Sequence, residues 1–249
     1  MIYISHLLPD DEMRELVEIT GAGVESIEFS VAESLDHLSS AIKSYRKRLS
    51  YMGCENLTLH GPFLDLNPVA FDREVQRATM LRYVQCYNAA MELGADKIIY
   101  HTCMYPDVYY VTGWAERMAD FMNTFLERHK GIEVLIENVL DREWFAILDA
   151  AERIQSDMSG ICLDIGHAHC YSKHSVTEWA KKLAPKVKHL HLHDNDQSRD
   201  SHLGLGEGTI PLQEIFEILE DTKVHSCTIE CCTKEAVLGS YERIPEKYR

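Results

Sequence analysis

The chain has 249 residues, of which 45% are apolar and 26% charged, a composition that excludes a disordered or fibrous protein and allows one large barrel or two small domains. A formal net charge of −15 argues against a broad basic footprint for nucleic acid. It leaves open an acidic site that holds cations, because net charge says nothing of where the charges sit.

The first residues, MIYISHLLPDDEMRE, carry no basic leader, and acidic residues interrupt the apolar positions too soon for a signal peptide. No apolar run approaches the roughly 18 residues needed to span a bilayer. A cytoplasmic protein without a membrane partner is expected. In chain order the expected strands are IYIS (2–5), SIEFS (26–30), NLTLH (56–60), KIIYH (97–101), EVLIEN (133–138), GICLD (160–164), KHLHLH (188–193) and CTIEC (227–231). Longer amphipathic stretches lie between them, such as DREVQRATMLRYVQCYNAAMELG, where apolar residues recur at helical spacing and Gly94 supplies a stop. Eight strands alternating with helices predict an α/β protein, a single (β/α)8 TIM barrel domain over residues 1–249. An open doubly wound sheet is the rival, but no GxGxxG follows the first strand. About 18 residues follow the eighth strand, so the last helix is expected to be short or missing, leaving an edge that a partner subunit could cover in a homo-oligomer.

Eight cysteines form no CxxC pair and several lie inside expected strands or helices, which favours reduced thiols over disulfides. Adjacent Cys231 and Cys232 should fall on opposite faces of the chain, with no marked basic neighbour to activate either.

Strand alternation directs the polar residues. With Leu57 and Leu59 facing the helices, Thr58 and His60 point into the barrel, and so do Ile99 with His101, Leu135 with Glu137, Cys162 with Asp164, and Thr228 with Glu230. Each metal-competent residue ends its strand, where barrels of this kind build their active sites. His189, His191 and His193 share one face of the seventh strand, and depth selects His191. His167 follows Asp164 by three residues, and the loop after the seventh strand adds Asp194, Asp196, Asp200 and His202. Taken singly, His60 could be a hydrogen-bonded core residue, Glu137 half of a buried ion pair, and Asp164 a helix N-cap. Such separate explanations do not account for convergence at one end. Imidazoles and carboxylates without thiolate suit Zn²⁺, Mn²⁺ or a similar divalent ion, which compensates the lost hydration of the buried groups. Phe63, Tyr105, Tyr109, Tyr110 and Trp144 are candidates to wall a small-molecule pocket.

Through LTLHGPF, IIYHTC, VLIENV, CLDIGHAH, HLHDND with RDSHLGLGEG, and TIEC, in that order, the chain resembles the xylose isomerase-like barrel superfamily, particularly endonuclease IV and its sugar isomerase and epimerase relatives. The endonuclease IV resemblance implies nine ligands, His60, His101, Glu137, Asp164, His167, His191, Asp200, His202 and Glu230, around three zinc ions, for hydrolysis at abasic DNA. The isomerase resemblance implies one divalent ion at Glu137, Asp164, His191 and Glu230, with Glu137 and Glu230 as the catalytic pair that exchanges a carbon-bound proton with a sugar or sugar phosphate. The departures favour the isomerase branch. Only Gln197, Ser198 and Arg199 separate Asp196 from Asp200, Phe63 stands where a tyrosine is expected, and the mouth loops HGPFLDLNP, HTCMYPDVYY and NVLDRE are poor in Lys and Arg, the groups that supply phosphate contacts.

Overall fold

Residues 1–249 are described by a computed structural model. The elements run β1 (Ile2–Ser5), α1 (Asp10–Thr20), β2 (Gly23–Ser26), α2 (Ala32–Asp36), α3 (Leu38–Met52), β3 (Leu57–His60), α4 (Arg73–Leu93), β4 (Lys97–His101), α5 (Trp114–Arg128) and β5 (Glu133–Glu137). They continue with α6 (Trp144–Arg153), β6 (Ser159–Asp164), α7 (Ile165–Tyr171), α8 (Val176–Leu183), β7 (Val187–Leu192), α9 (Leu212–Ile218), β8 (Ser226–Ile229) and α10 (Lys234–Arg243). The eight strands are parallel and close on themselves in chain order, so the expected (β/α)8 barrel is the fold. No helix is long and apolar enough to cross a membrane, and all eight cysteines are free.

Local chemistry sets the boundaries. The long helix α4 starts at Asp72, whose side chain accepts from the Glu74 amide at 2.8 Å, and stops at Gly94 in the left-handed region at φ 76°, which a side chain would resist. The second strand corrects the sequence expectation. It occupies Gly23–Ser26, and Glu28–Ser30 form a 3₁₀ turn. Ser26 Oγ accepts from the Glu28 amide and Ser30 Oγ donates to the Ile27 carbonyl, so the side chains offer the backbone an alternative to the ladder. Phe29 is then buried edge-on against Tyr45 of α3, and Arg48 binds Glu28 at 2.7 Å. β8 also ends earlier than expected, at Ile229, leaving Glu230 just beyond it with its amide bonded to the Leu192 carbonyl at 3.0 Å.

The main apolar core lies between strands and helices, whereas Ile99, Leu135 and Cys162 form a separate cluster. These are the inward positions that alternation assigns on β4, β5 and β6. The facing side of the interior is polar. Glu25, Thr58, Lys97, His189, Ser226 and Thr228 are all 3% exposed or less, where a barrel would ordinarily carry branched apolar residues.

The last helix is short, as expected, and the chain closes its own edge. Tyr241 of α10 donates to the Thr20 carbonyl of α1 at 2.8 Å, and Lys247 donates to the Leu219 carbonyl beyond α9 at 2.6 Å. Tyr248 is fully buried. Replacing Tyr248 with Ala should therefore lower the unfolding free energy by about 3 kcal/mol in urea denaturation. A loss under about 1 kcal/mol would show that the tail does not seal the barrel.

Candidate metal centre

The carboxyl ends of β3 to β8 bring histidines and carboxylates to one mouth, and for three of the rings a backbone carbonyl fixes which nitrogen is presented. His60 Nδ1 donates to the Gly61 carbonyl at 2.9 Å, His167 Nδ1 to that of Asn138 at 3.0 Å, and His202 Nδ1 to that of Glu230 at 2.8 Å. All three therefore turn Nε2 inward, as metal-binding histidines do when a carbonyl holds the other nitrogen. His191 faces the opposite way: its Nδ1 lies 3.2 Å from Glu137 Oε1, 3.3 Å from Glu230 Oε1 and 4.0 Å from Asp164 Oδ2.

Asp164 performs both of the tasks that the sequence suggests. Its Oδ1 caps α7, accepting from the His167 amide at 2.6 Å, and its Oδ2 lies 3.3 Å from His167 Nδ1 and 3.2 Å from His193 Nε2. Reciprocal bonds with the Asn138 side chain, at 2.9 and 3.0 Å, fix its backbone. Gly166 allows His193 into this space, because a Cβ there would sit 2.0 Å from the imidazole. Buried Asp194 accepts from the amides of Asn195, Gly206 and Ile210, shaping the loop that carries Asp200 and His202.

Several groups of donors result, each with ligand atoms within 4.8 Å of one another, among them His60, His101 and Glu137; Glu137, Asp164 and His167; His167, His193, Asp200 and His202; and, deeper, Glu25, His191 and Glu230. His191 and Glu230 adjoin the second through Glu137. The donor set fits divalent cations on a structural observation. Glu137 Oε2, His191 Nδ1, His193 Nδ1 and Asp200 Oδ1 are buried with no hydrogen-bond partner, a costly arrangement unless a cation satisfies them. His60 and His101 also point their Nε2 atoms at each other across 3.0 Å.

The electrostatics divide the cluster. Burial alone would raise the Glu137 carboxyl, but His191 and His101 outweigh it and hold Glu137 well below the usual range. Burial lifts Glu230, and the Glu137 and Glu25 carboxylates lift it further against the pull of His191. Burial pushes His101 down to about 3. Burial also opposes charge on His202, yet Asp200 at 3.4 Å prevails and raises that imidazole to about 9.

All nine residues of the endonuclease IV pattern thus share one mouth. Phe63 joins them, stacked on His101 at 4.3 Å and lining a cavity of about 280 Å³ with His60, Glu137, His167, His202 and Glu230. The structure does not bring Tyr105 or Trp144 into that lining. Tyr105 is 38% exposed on the β4–α5 loop, and Trp144 turns toward α8, donating to Glu178 at 2.8 Å. A hollow of about 350 Å³ between the loops after β4 and β5 includes Tyr109, Tyr110, Arg142 and Lys173, but none of the nine lines it. Two further residues join the cluster that sequence reasoning passes over. Depth selects His191 ahead of His193, although both face inward. Glu25 lies 3.1 Å from His191 Nε2 and is hidden when the second strand is placed three residues too late. The alternation Val24, Glu25, Ser26 directly after the α1 stop is the available signal.

Fold and site define a parallel (β/α)8 barrel with a buried imidazole–carboxylate centre at its carboxyl rim. Residues 17–247 match the family described as xylose isomerase-like TIM barrel, and the chain belongs to it. The uncharacterized protein MJ1311 of Methanocaldococcus jannaschii is 27% identical over 202 residues, covering 77% of this chain and 69% of its own. A crystal structure of a D-tagatose 3-epimerase-like protein superposes with a TM-score of 0.78 at 23% identity, covering 99% of this chain and 96% of the other. The TTHB071 protein from Thermus thermophilus, soaked with ZnCl₂, gives 0.77 at 23% identity over 100% and 99% of the chains. The two solved structures show the likeness of fold.

His202 must lose its proton to bind a cation, so affinity of the His167–Asp200–His202 group should rise with pH up to about 9, by roughly tenfold per unit for each proton released. Zn²⁺ titrations between about pH 6.5 and 9, in buffers of different ionisation enthalpy, would count those protons. A flat profile would remove His202 from the ligands.

Proposed function

We propose that this protein is a divalent-metal-dependent sugar or sugar-phosphate isomerase or epimerase. One observation carries the reading: Glu137 and Glu230 approach the same nitrogen of His191, at 3.2 and 3.3 Å, in the lining of a cavity of about 280 Å³ that suits a small polar molecule. Glu137, Asp164, His191 and Glu230 would hold a Zn²⁺ or Mn²⁺ ion. When bound, such an ion supplies Lewis-acid polarisation of a carbonyl and its neighbouring hydroxyl.

The two glutamates then differ in their freedom to move protons. Glu137 is hemmed in on both oxygens, with His167 and His191 near Oε1 and His60 and His101 at 3.6 and 3.7 Å from Oε2. Glu230 has only His191 near Oε1 and faces the cavity, where its other oxygen can take a carbon-bound proton. Its raised pKa suits an exchanging base better than the depressed one of Glu137. Glu230 therefore takes the carbon-bound proton first, and Glu137 delivers one to the carbon only after it has itself taken a proton from solvent. Phe63 walls the cavity beside His101 and keeps water from the reacting carbon. The likeness to a D-tagatose 3-epimerase-like protein supports this substrate class.

A second reading, an endonuclease IV-like zinc phosphodiesterase acting on abasic DNA with two or three ions, is favoured by three donor groups joined at Glu137 and His167. Against it, basic groups around the mouth are sparse: Arg142 is paired with Asp107 and Lys173 with Glu143, and Arg199 alone on its loop is no track of phosphate contacts for a duplex.

In deuterated water, the metal-loaded protein should exchange a carbon-bound proton of a ketose or ketose phosphate. Glu230→Gln should slow that exchange by about 10² to 10⁴ while sugar binding persists. No exchange across a broad sugar panel, together with three bound zinc ions and incision of abasic duplex DNA, would replace this function with the second.

A further inference from the structure

Half of the barrel interior is polar, and its hydrogen bonds have a direction that donor chemistry dictates. The Lys97 ammonium can only donate, and it donates to Ser226 Oγ at 2.9 Å. The Ser226 hydroxyl therefore gives its own proton to His189 Nδ1, 2.7 Å away. The Thr228 hydroxyl proton is committed to the Glu25 carboxylate, so across 2.8 Å its oxygen accepts from His189 Nε2, which therefore carries the ring proton. The Thr228 hydroxyl in turn donates to Glu25 Oε2 at 2.8 Å, where Thr58 also donates at 3.0 Å. The sequence of donors thus runs one way, from an ammonium deep in the barrel to a carboxylate that is fully buried.

With Oε2 occupied twice, Glu25 Oε1 is left facing His191 Nε2 at 3.1 Å. Neither atom makes a hydrogen bond to any group, so the 3.1 Å approach is the one interaction open to each, and burying both unpaired would be costly. The other nitrogen of the same ring looks toward Glu137, Glu230 and Asp164. An imidazole that presents one lone pair to a cation must carry its proton on the opposite nitrogen.

We propose that Glu25, held by the Lys97–Ser226–His189–Thr228 relay, is the positioning residue that fixes His191 as its Nε2–H tautomer and aims Nδ1 at the metal. This rests on His191 being a ligand, as the proposed function requires. Glu25 touches neither substrate nor ion. It restrains the ring and raises its basicity, and loss of such a partner ordinarily weakens metal binding about 10- to 100-fold.

The test uses the full-length protein labelled with ¹⁵N-histidine and titrated with Zn²⁺, so that the His191 resonances report binding at this ring, with affinity from chelator competition. Zinc-loaded wild type should show His191 protonated on Nε2 and metal-bound through Nδ1. Glu25→Gln should weaken Zn²⁺ about 10- to 100-fold, while the Co²⁺-loaded variant keeps the visible spectrum, and hence the coordination number, of wild type. Lys97→Met removes the far end of the relay without touching His191 and should weaken Zn²⁺ in the same direction by a smaller factor. Unchanged affinity in Glu25→Gln, metal on Nε2 in wild type, or an altered Co²⁺ spectrum that makes Glu25 a direct ligand would each overturn the inference. Should Glu25→Gln not fold, the wild-type tautomer and Lys97→Met decide. Wild type that binds no cation at all would instead overturn the proposed function itself.

Discussion

Four carboxylates, Glu25, Glu137, Asp164 and Glu230, are buried to 7% exposure or less at one end of the barrel, with Asp200 beside them. Like charges about 4 Å apart repel by roughly 4 kcal/mol at an effective dielectric constant near 20, and each has also lost its hydration. Nothing apolar can offset that. The surrounding imidazoles can, either as imidazolium or as co-ligands of a cation, and much of the local architecture serves to hold them in place. His60, His167 and His202 are held by main-chain carbonyls, so the backbone that forms the rim also decides which nitrogen faces inward.

The same constraint explains features that have no purpose in packing. Gly166 opens α7 with too little volume to keep His193 away from Asp164. Asn138 pins the end of β6 through two bonds to the Asp164 backbone, so the carboxylate that caps α7 cannot drift from the histidines it serves. Deeper in the barrel, a polar half replaces the usual branched layers, while Ile99, Leu135 and Cys162 keep the opposite half dry. A uniformly apolar interior would pack with less risk, since every buried polar atom needs a partner. A connected set of donors and acceptors reaching Glu25 Oε2 meets that need for Lys97, Ser226, His189, Thr228 and Thr58, and leaves Glu25 Oε1 facing His191.

The barrel was legible because eight apolar runs with terminal polar residues recur along the chain, and alternation assigns faces without knowledge of neighbours. Thr58, His60, His101, Glu137 and Asp164 follow from that rule. It failed at SIEFS, where strand propensity is genuine but Ser26 and Ser30 bond to the nearby backbone and Phe29 is drawn into the core beside Tyr45. The slip concealed Glu25. Alternation also gives no depth, so His189, His191 and His193 are equivalent in sequence, yet they occupy three levels: against Ser226 and Thr228, against Glu137 and Glu230, and against Asp164 and Asp200. Trp144 carried no sequence sign that its indole would turn to Glu178 on α8.

By itself, then, the sequence determined the repeating unit, the inward faces and the chemical types at each strand end, because a strand's period of two is a local property. Tertiary structure alone decided which strand ends lie level with one another, which histidine nitrogen faces the cluster, and that Glu25 stands behind His191. Those depend on the stagger of strands around a closed barrel and on carbonyls from distant loops, and neither is encoded within the span of any single motif.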